Sequence, residues 1–478
     1  MKKLLILSLA LLLALAFGSA YAQEKPPVLD FKASGLFALE YDWARNYSSA
    51  IFSPASRDHS ISNTLLRGRL MFNANMGKEL SGTVFFEMDG GVLGAAPGSA
   101  DPGTGQRNAM TTWSADRAAV EIKWLYFDVA VPVIPVPISL RIGTQGFTPR
   151  LIMFSGDVSG VSGSMDLSPL KVSGYWFKAV EGNAYSADDS DMYGVKADVK
   201  LGTVTVGGYG LYFNFNSYPI WVKRTGTAGA VTTLADYING TQMADFWYFG
   251  AYADGKMGPV NVNFDFVYDA GKTESRYTPT ATDVKYRGWA TWLRIDYPWD
   301  IFNFGVAGFY ATGDDKTNAH KKRGFVSPPL SEANAPFGEA FFYAGMPGVP
   351  IGYLGIAFFP ASYGFANAGF GGSWFARVSA KAKVTPTYSV TARVYYIGDT
   401  TKNGDTWGSA TDGAVFTDSN AIGWEFDVIN SIKIYKNLEW TIGAGVMKLG
   451  NAMRYMDAGI AKKPKTPWCI TGGLLYSF

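Results

Sequence analysis

The sequence is short of the residues on which most chemistry depends. In 478 residues it holds one cysteine, Cys469, and two histidines, His59 and His320. A single thiol excludes an intrachain disulfide, and one cysteine with two histidines falls short of a four-ligand zinc set. Both histidines lie in polar stretches that read as loops, without a serine or cysteine placed for either to activate, so no hydrolytic triad is expected. No catalytic residue, cofactor or resident metal is assigned. Asp188, Asp189 and Asp191 could gather a divalent cation, but acidic tips are also what ordinary solvated loops carry. Charge is scarce as well, at 17% of residues. Beyond the N-terminus there is no unbroken apolar run of the roughly 20 residues that a spanning helix needs. The most apolar late stretch, residues 347–365, is interrupted by Pro350, Gly352, Gly355 and Pro360.

What is present starts with an export signal. Met1-Lys2-Lys3 precedes an apolar run from Leu4 to Phe17 and the small-residue ending Gly18-Ser19-Ala20-Tyr21-Ala22. This is the pattern of a cleaved secretory signal peptide over residues 1–22. The next residue, Gln23, is not the cysteine of a lipoprotein. Removing residues 1–22 takes two lysines with it and leaves 40 basic residues against 40 acidic. A neutral balance gives no footing for nucleic acid as a partner.

The rest of the chain alternates with period two. In Leu29 to Trp43, the odd positions include Leu29, Phe31, Phe37, Leu39, Tyr41 and Trp43, and the even ones include Asp30, Lys32, Ser34, Glu40 and Asp42. A strand separates these sets onto two faces, whereas a helix would mix them. The same reading repeats at residues 66–74, 260–269, 374–383 and 388–396. A soluble sandwich also alternates, but here the apolar face is rich in bulky aromatics while the other carries charge. Both are accounted for if one face meets lipid and the other meets water.

Short turns are predicted near Gly77-Lys78, Pro132–Pro137, Ser168-Pro169, Gly202-Thr203, Gly258-Pro259, Trp299-Asp300, Thr385-Pro386 and Asn437-Leu438, with longer stretches between them. Short turns on one side and long loops on the other describe a transmembrane antiparallel β-barrel with periplasmic turns and extracellular loops. The count is about 18 strands. The stretches at 156–180 and 244–254 are less regular and leave 16 open. The expected organisation is a signal peptide (1–22), a short periplasmic segment (23–27) that leaves no room for a plug domain, and a barrel (28–478) with a long loop at about 314–370. Trp124, Tyr126, Tyr297, Trp299, Tyr388, Tyr435 and Trp440 lie near predicted strand ends, as an interfacial aromatic girdle would place them.

The chain ends in Trp468-Cys469-Ile470-Thr471-Gly472-Gly473-Leu474-Leu475-Tyr476-Ser477-Phe478, with Tyr476 and Phe478 on the apolar face. Taken with the signal and the strands, this ending resembles the terminal strand of Gram-negative porins. The resemblance covers the whole mature length. It implies residence in the outer membrane among lipid and lipopolysaccharide, recognition of Tyr476 and Phe478 by the barrel-assembly machinery, and an assembly for which a homotrimer is one option. Leu140 to Phe147 looks like a porin strand with a basic residue facing the lumen and a glycine before a loop. Ala311-Thr312-Gly313-Asp314-Asp315 is similar to a strand exit in larger barrels, including alginate-export-like channels.

The charged inward faces nominate the lumen. The candidates are Arg67, Arg69, Lys123, Arg141, Lys196, Arg294, Arg377, Lys381 and Arg393, with Glu87, Asp89, Glu121, Asp198, Asp265, Asp296, Glu425 and Asp427. Fixed charges on a pore wall tune ion passage, and they also serve simply to hydrate a wet wall. Arg377, Lys381, Lys383 and Arg393 form the densest group of one sign. The loop from Asp314 to Phe370 turns apolar after Arg323, through Phe337, Phe341, Phe342, Tyr343, Tyr353 and Phe358. Such a surface needs cover, either the barrel mouth or a neighbouring barrel. General porins narrow the pore with their third loop, whereas here this late loop is the expected constriction. The expected function is passive diffusion of small hydrophilic solutes or ions. The alternatives are a non-channel barrel acting as a surface anchor or sleeve for a partner, and a channel for apolar compounds.

Overall fold

The computed structural model describes residues 29–46, 60–93, 109–110, 120–131, 137–150, 152–181, 189–218, 222–223, 237–238, 242–275, 283–314, 318, 320–328, 340–343, 372–401, 419–453, 455–457, 460–462 and 465–478. Residues 1–28, which include the expected signal peptide, as well as Asp188, most of the late loop and the side chain of Asp89, lie outside the described residues.

The alternating segments form β1 (Leu29–Arg45), β2 (Ser60–Met76), β3 (Leu80–Leu93), β4 (Val120–Val131), β5 (Ile138–Arg150), β6 (Phe154–Asp166), β7 (Leu170–Val180), β8 (Ser190–Leu201) and β9 (Val204–Tyr218). They continue as β10 (Gln242–Met257), β11 (Val260–Ser275), β12 (Val284–Trp299), β13 (Phe302–Ala311), β14 (Ser373–Lys383), β15 (Tyr388–Asp399), β16 (Ala421–Tyr435), β17 (Leu438–Leu449) and β18 (Trp468–Ser477). Each pairs antiparallel with its neighbours in sequence, and β18 returns to β1 in register from Leu36↔Ser477 to Arg45↔Trp468. The result is a closed barrel of 18 strands, in which every strand has a partner on both sides. The irregular stretches at 156–180 and 244–254 are complete strands, so the count is 18 rather than 16.

Every predicted turn falls at one end of the barrel, the end where β1 begins and β18 finishes. The opposite end carries the long connections, with one exception. Between β5 and β6 the chain turns tightly, from Arg150 to Phe154.

The outward face is the apolar one. Trp247, Phe249, Phe264, Phe266, Phe304, Trp424 and Phe426 are exposed along successive strands. Near the loop end, Tyr193, Tyr212 and Trp247 stack in a row across β8–β10, with centroids 6.4 and 4.2 Å apart. At the turn end, Tyr297, Trp299 and Tyr435 are exposed. The girdle reading fails for Trp124 and Tyr126. Trp124 Nε1 donates to Asp157 (2.6 Å), and the Tyr126 ring lies 4.0 Å beneath the Arg141 guanidinium, among the inward charges. The cause for Trp124 is a β-bulge. Phe85 pairs with Trp124 and Phe86 with Ile122, so Lys123 is the extra residue and the alternation breaks there.

Candidate functional site

The lumen is narrowed by two segments that leave the wall. The first is the loop-end half of the β5–β6 hairpin. Pairing of β4 with β5 stops at Leu125↔Thr144, and pairing of β6 with β7 stops at Ser159↔Lys178. Beyond those points the two strands keep only each other, through Gln145↔Val158, Gly146↔Asp157 and Phe147↔Gly156. The departure occurs at Gly143 and Gly160, which face one another in register with φ of 129° and 154°. A Cβ on either would collide with a backbone oxygen, that of Leu125 or that of Trp176. Only glycine fits both the backbone angle and the space. Leu140 to Phe147 lies within β5, which runs on to Arg150 as part of this inward hairpin, with Arg141 bound to Asp128.

At the tip, Arg150 reaches β10 and β11, four or more strands further round the ring. Its Nε donates to Asp265 Oδ1 (2.6 Å) and Nη2 to Asp265 Oδ2 (2.5 Å). Nη2 also donates to Asp254 Oδ1 (3.1 Å), and Nη1 donates to Asp254 Oδ2. The guanidinium lies 4.1 Å above the Tyr252 ring. The planar fork of arginine matches two carboxylates at once, which an ammonium does not. Asn263 Nδ2 orients Asp254 (2.9 Å), and the Tyr252 hydroxyl donates to Asp198, which also pairs with Lys196 at 3.3 Å. On the near side, Asp157 of the hairpin receives Trp124 and Lys123 (3.0 Å), while Phe147 packs on Tyr175 and Phe177, each at 4.8 Å.

The second segment is the late loop. Its described residues 340–343 sit inside, against β16 and β17. The amides of Phe342 and Tyr343 donate to Glu425 Oε1 and Oε2 at 2.6 and 3.0 Å. The Tyr343 hydroxyl meets Ser373 Oγ at 2.7 Å. The Phe341 ring covers Gly443 and Gly445, where a Cβ would lie 2.5 and 2.6 Å from it. Further back, Lys321–Lys322 pairs with Lys285–Tyr286 of β12, and Phe325 packs over Gly288. The described part of the late loop lies inside the barrel. The third loop-end connection enters as well, because its hairpin is hinged off the wall.

The predicted lumen residues divide into three groups. Around β2–β4, Arg69 and Lys123 both pair with Glu87, which faces Glu121 in register, and Arg67 is buried beside them on the inward face. Arg141 binds Asp128 through Nε and Nη2 at 2.7 and 3.1 Å. Asp265 belongs to the Arg150 cluster. Around β12–β16, Arg294 pairs with Asp296 (2.5 Å), and Asp296, Ser379 and Arg377 converge over Gly305, within 3.4 Å of where its Cβ would be. Arg393 stands opposite Asp427 in register, and Lys381 is exposed toward the turn end. Glu425 is covered by the loop rather than open to water. Of the acidic trio, Asp188 lies outside the described residues. Asp189 pairs with Lys178 at 3.1 Å, and Asp191 accepts the Tyr193 hydroxyl at 3.1 Å.

Arg150, Asp254 and Tyr252 are not marked as lumen residues by the sequence pattern. One signal is there: Pro149 cannot donate to a ladder, which argues against a place inside the wall. The Arg150 partner Asp265, 115 residues away, cannot be assigned from spacing.

No family model matches the sequence, and no curated protein sequence does. Solved structures do. The chain is similar to OccK8 (OprE) of Pseudomonas aeruginosa, at 11% identity over 94% of this chain and 98% of that one, with a TM-score of 0.52. It is likewise similar to OpdQ of the same organism (11% identity, 94% and 98% coverage, TM-score 0.51) and to the outer membrane protein OpdK (10%, 94% and 98%, 0.50). At this identity the likeness establishes the fold: a large outer-membrane-type barrel over nearly the whole length of each chain.

Proposed function

We propose that the chain is an outer-membrane channel passing small hydrophilic solutes or ions by diffusion. One observation carries the reading. A closed ring with an apolar outer face bears acidic and basic side chains on its inner face, and two segments narrow that polar interior. A ring of this size encloses more space than its own inward side chains fill. Its structural neighbours of the same fold include a protein described as an outer membrane protein. The signal-like N-terminus supports the same location, with lipopolysaccharide, assembly-machinery recognition and trimer formation as further parts of the proposal. Purified protein added to planar bilayers should give discrete conductance steps, and a barrel that inserts without conducting would overturn the reading.

The wall charges offer a test of ion preference. Replacing Arg377, Lys381 and Arg393 together with Gln removes three cations from neighbouring strands. Their influence extends over about one Debye length, ~8 Å at physiological salt. The reversal potential in a salt gradient should move toward cation preference, most strongly at low salt. An unchanged value would mean that these side chains face no conducting path.

A further inference from the structure

We propose that Arg150 is the positioning residue of the constriction, clamping a hinged hairpin across the lumen and so setting the bore. The inference rests on the channel reading. Three observations lead to it. Beyond Thr144 and Ser159 the hairpin has no ladder to β4 or β7, so the wall does not hold it rigidly. Gly143 and Gly160 form a paired hinge at its base, in a conformation closed to other residues. The tip is tied, four or more strands further round the ring, by one guanidinium shared between carboxylates on two adjacent strands, β10 and β11.

The clamp is almost out of solvent on the Asp265 side, which is 1% exposed. Charge-assisted hydrogen bonds in such a setting are stronger than at an open surface. The anchors on the near side, Trp124 and Lys123 on Asp157 and Phe147 on Tyr175 and Phe177, fix the hairpin's flank but not its reach. The tip is also seated by the buried Ile152, Met153 and Phe154; Arg150 adds the directional tie to β10 and β11, and removing it lets the hairpin shift about the glycine pair.

Two variants separate a clamp from a plain wall charge, because they change the lumen charge in opposite directions. Arg150→Gln removes a cation, whereas the double variant Asp254→Asn/Asp265→Asn removes two anions. If the clamp sets the bore, both give a severalfold rise in single-channel conductance, noisier open states and a larger exclusion limit for neutral polyethylene glycols. Arg150→Lys, a point charge without the fork, falls between Gln and wild type. If Arg150 acts only through its charge, the reversal potentials of the two variants move apart while the exclusion limit stays put, and the clamp is overturned. Should Arg150→Gln fail to assemble because two carboxylates are left facing each other, the triple variant Arg150→Gln/Asp254→Asn/Asp265→Asn removes that repulsion and must still widen the path. A silent wild-type protein would sink the channel reading. A conducting wild type with all variants matching its exclusion limit would sink the clamp alone.

Discussion

Removing residues 337–365 is expected to raise single-channel conductance severalfold. The described part of that segment lies inside the barrel, where Glu425 accepts two amide hydrogen bonds and Phe341 covers Gly443 and Gly445. Each of these hydrogen bonds contributes about 0.5–1.5 kcal/mol, so the segment is seated rather than draped. The two glycines matter because any side chain there would occupy the volume of the Phe341 ring. Removal of the segment uncovers a carboxylate beside Asp427 and opens the lumen over β16 and β17. Conductance should rise and the lumen should gain cation preference together. A trimmed barrel that conducts like the intact one but runs as a weaker oligomer would show instead that the loop serves a neighbouring barrel.

Deleting Phe478 is expected to lower the yield of assembled barrel by roughly tenfold, the scale on which two backbone hydrogen bonds and an aromatic stacking pair stabilise a strand end. Its amide donates to Gly35 O at 3.0 Å, and its carbonyl accepts from Gly35 N at 2.9 Å. Its ring stacks 5.7 Å from Phe37 and 5.6 Å from Tyr476. These interactions fasten the end of β18 to β1 where the ring closes. Until it closes, each of the two strands exposes the unpaired backbone groups of one edge to lipid, which costs several kcal/mol per group. Deletion of Ala410, in a loop-end connection, serves as the control and should leave heat-modifiable migration and membrane yield near wild type. Equal yields for the two deletions would remove Phe478 from the closure step.

The wall of the barrel is written locally in the chain. Period-two alternation assigns each residue of a strand to lipid or lumen without knowledge of its neighbours, because successive side chains point to opposite faces. Turns at Gly202-Thr203, Gly258-Pro259 and Asn437-Leu438 are equally local, since they depend on residues that accept tight backbone angles. Hence the strands, the turn end and the inward place of Arg69, Arg141, Arg377 and Asp265 are all legible in the sequence. What those inward residues face emerges only when the ring is folded. Glu425 reads as one more wall charge until the amides of Phe342 and Tyr343, more than 80 residues earlier, are brought onto it. Trp124 reads as a girdle residue until the bulge at Lys123 turns it inward. Arg150 reads as the end of an ordinary strand until Gly143 and Gly160 take its hairpin off the wall and across to Asp254 and Asp265. Alternation fixes a side only for a strand that stays in the wall. Closure of the ring, which places strands far apart in sequence on opposite sides of one lumen, supplies the rest.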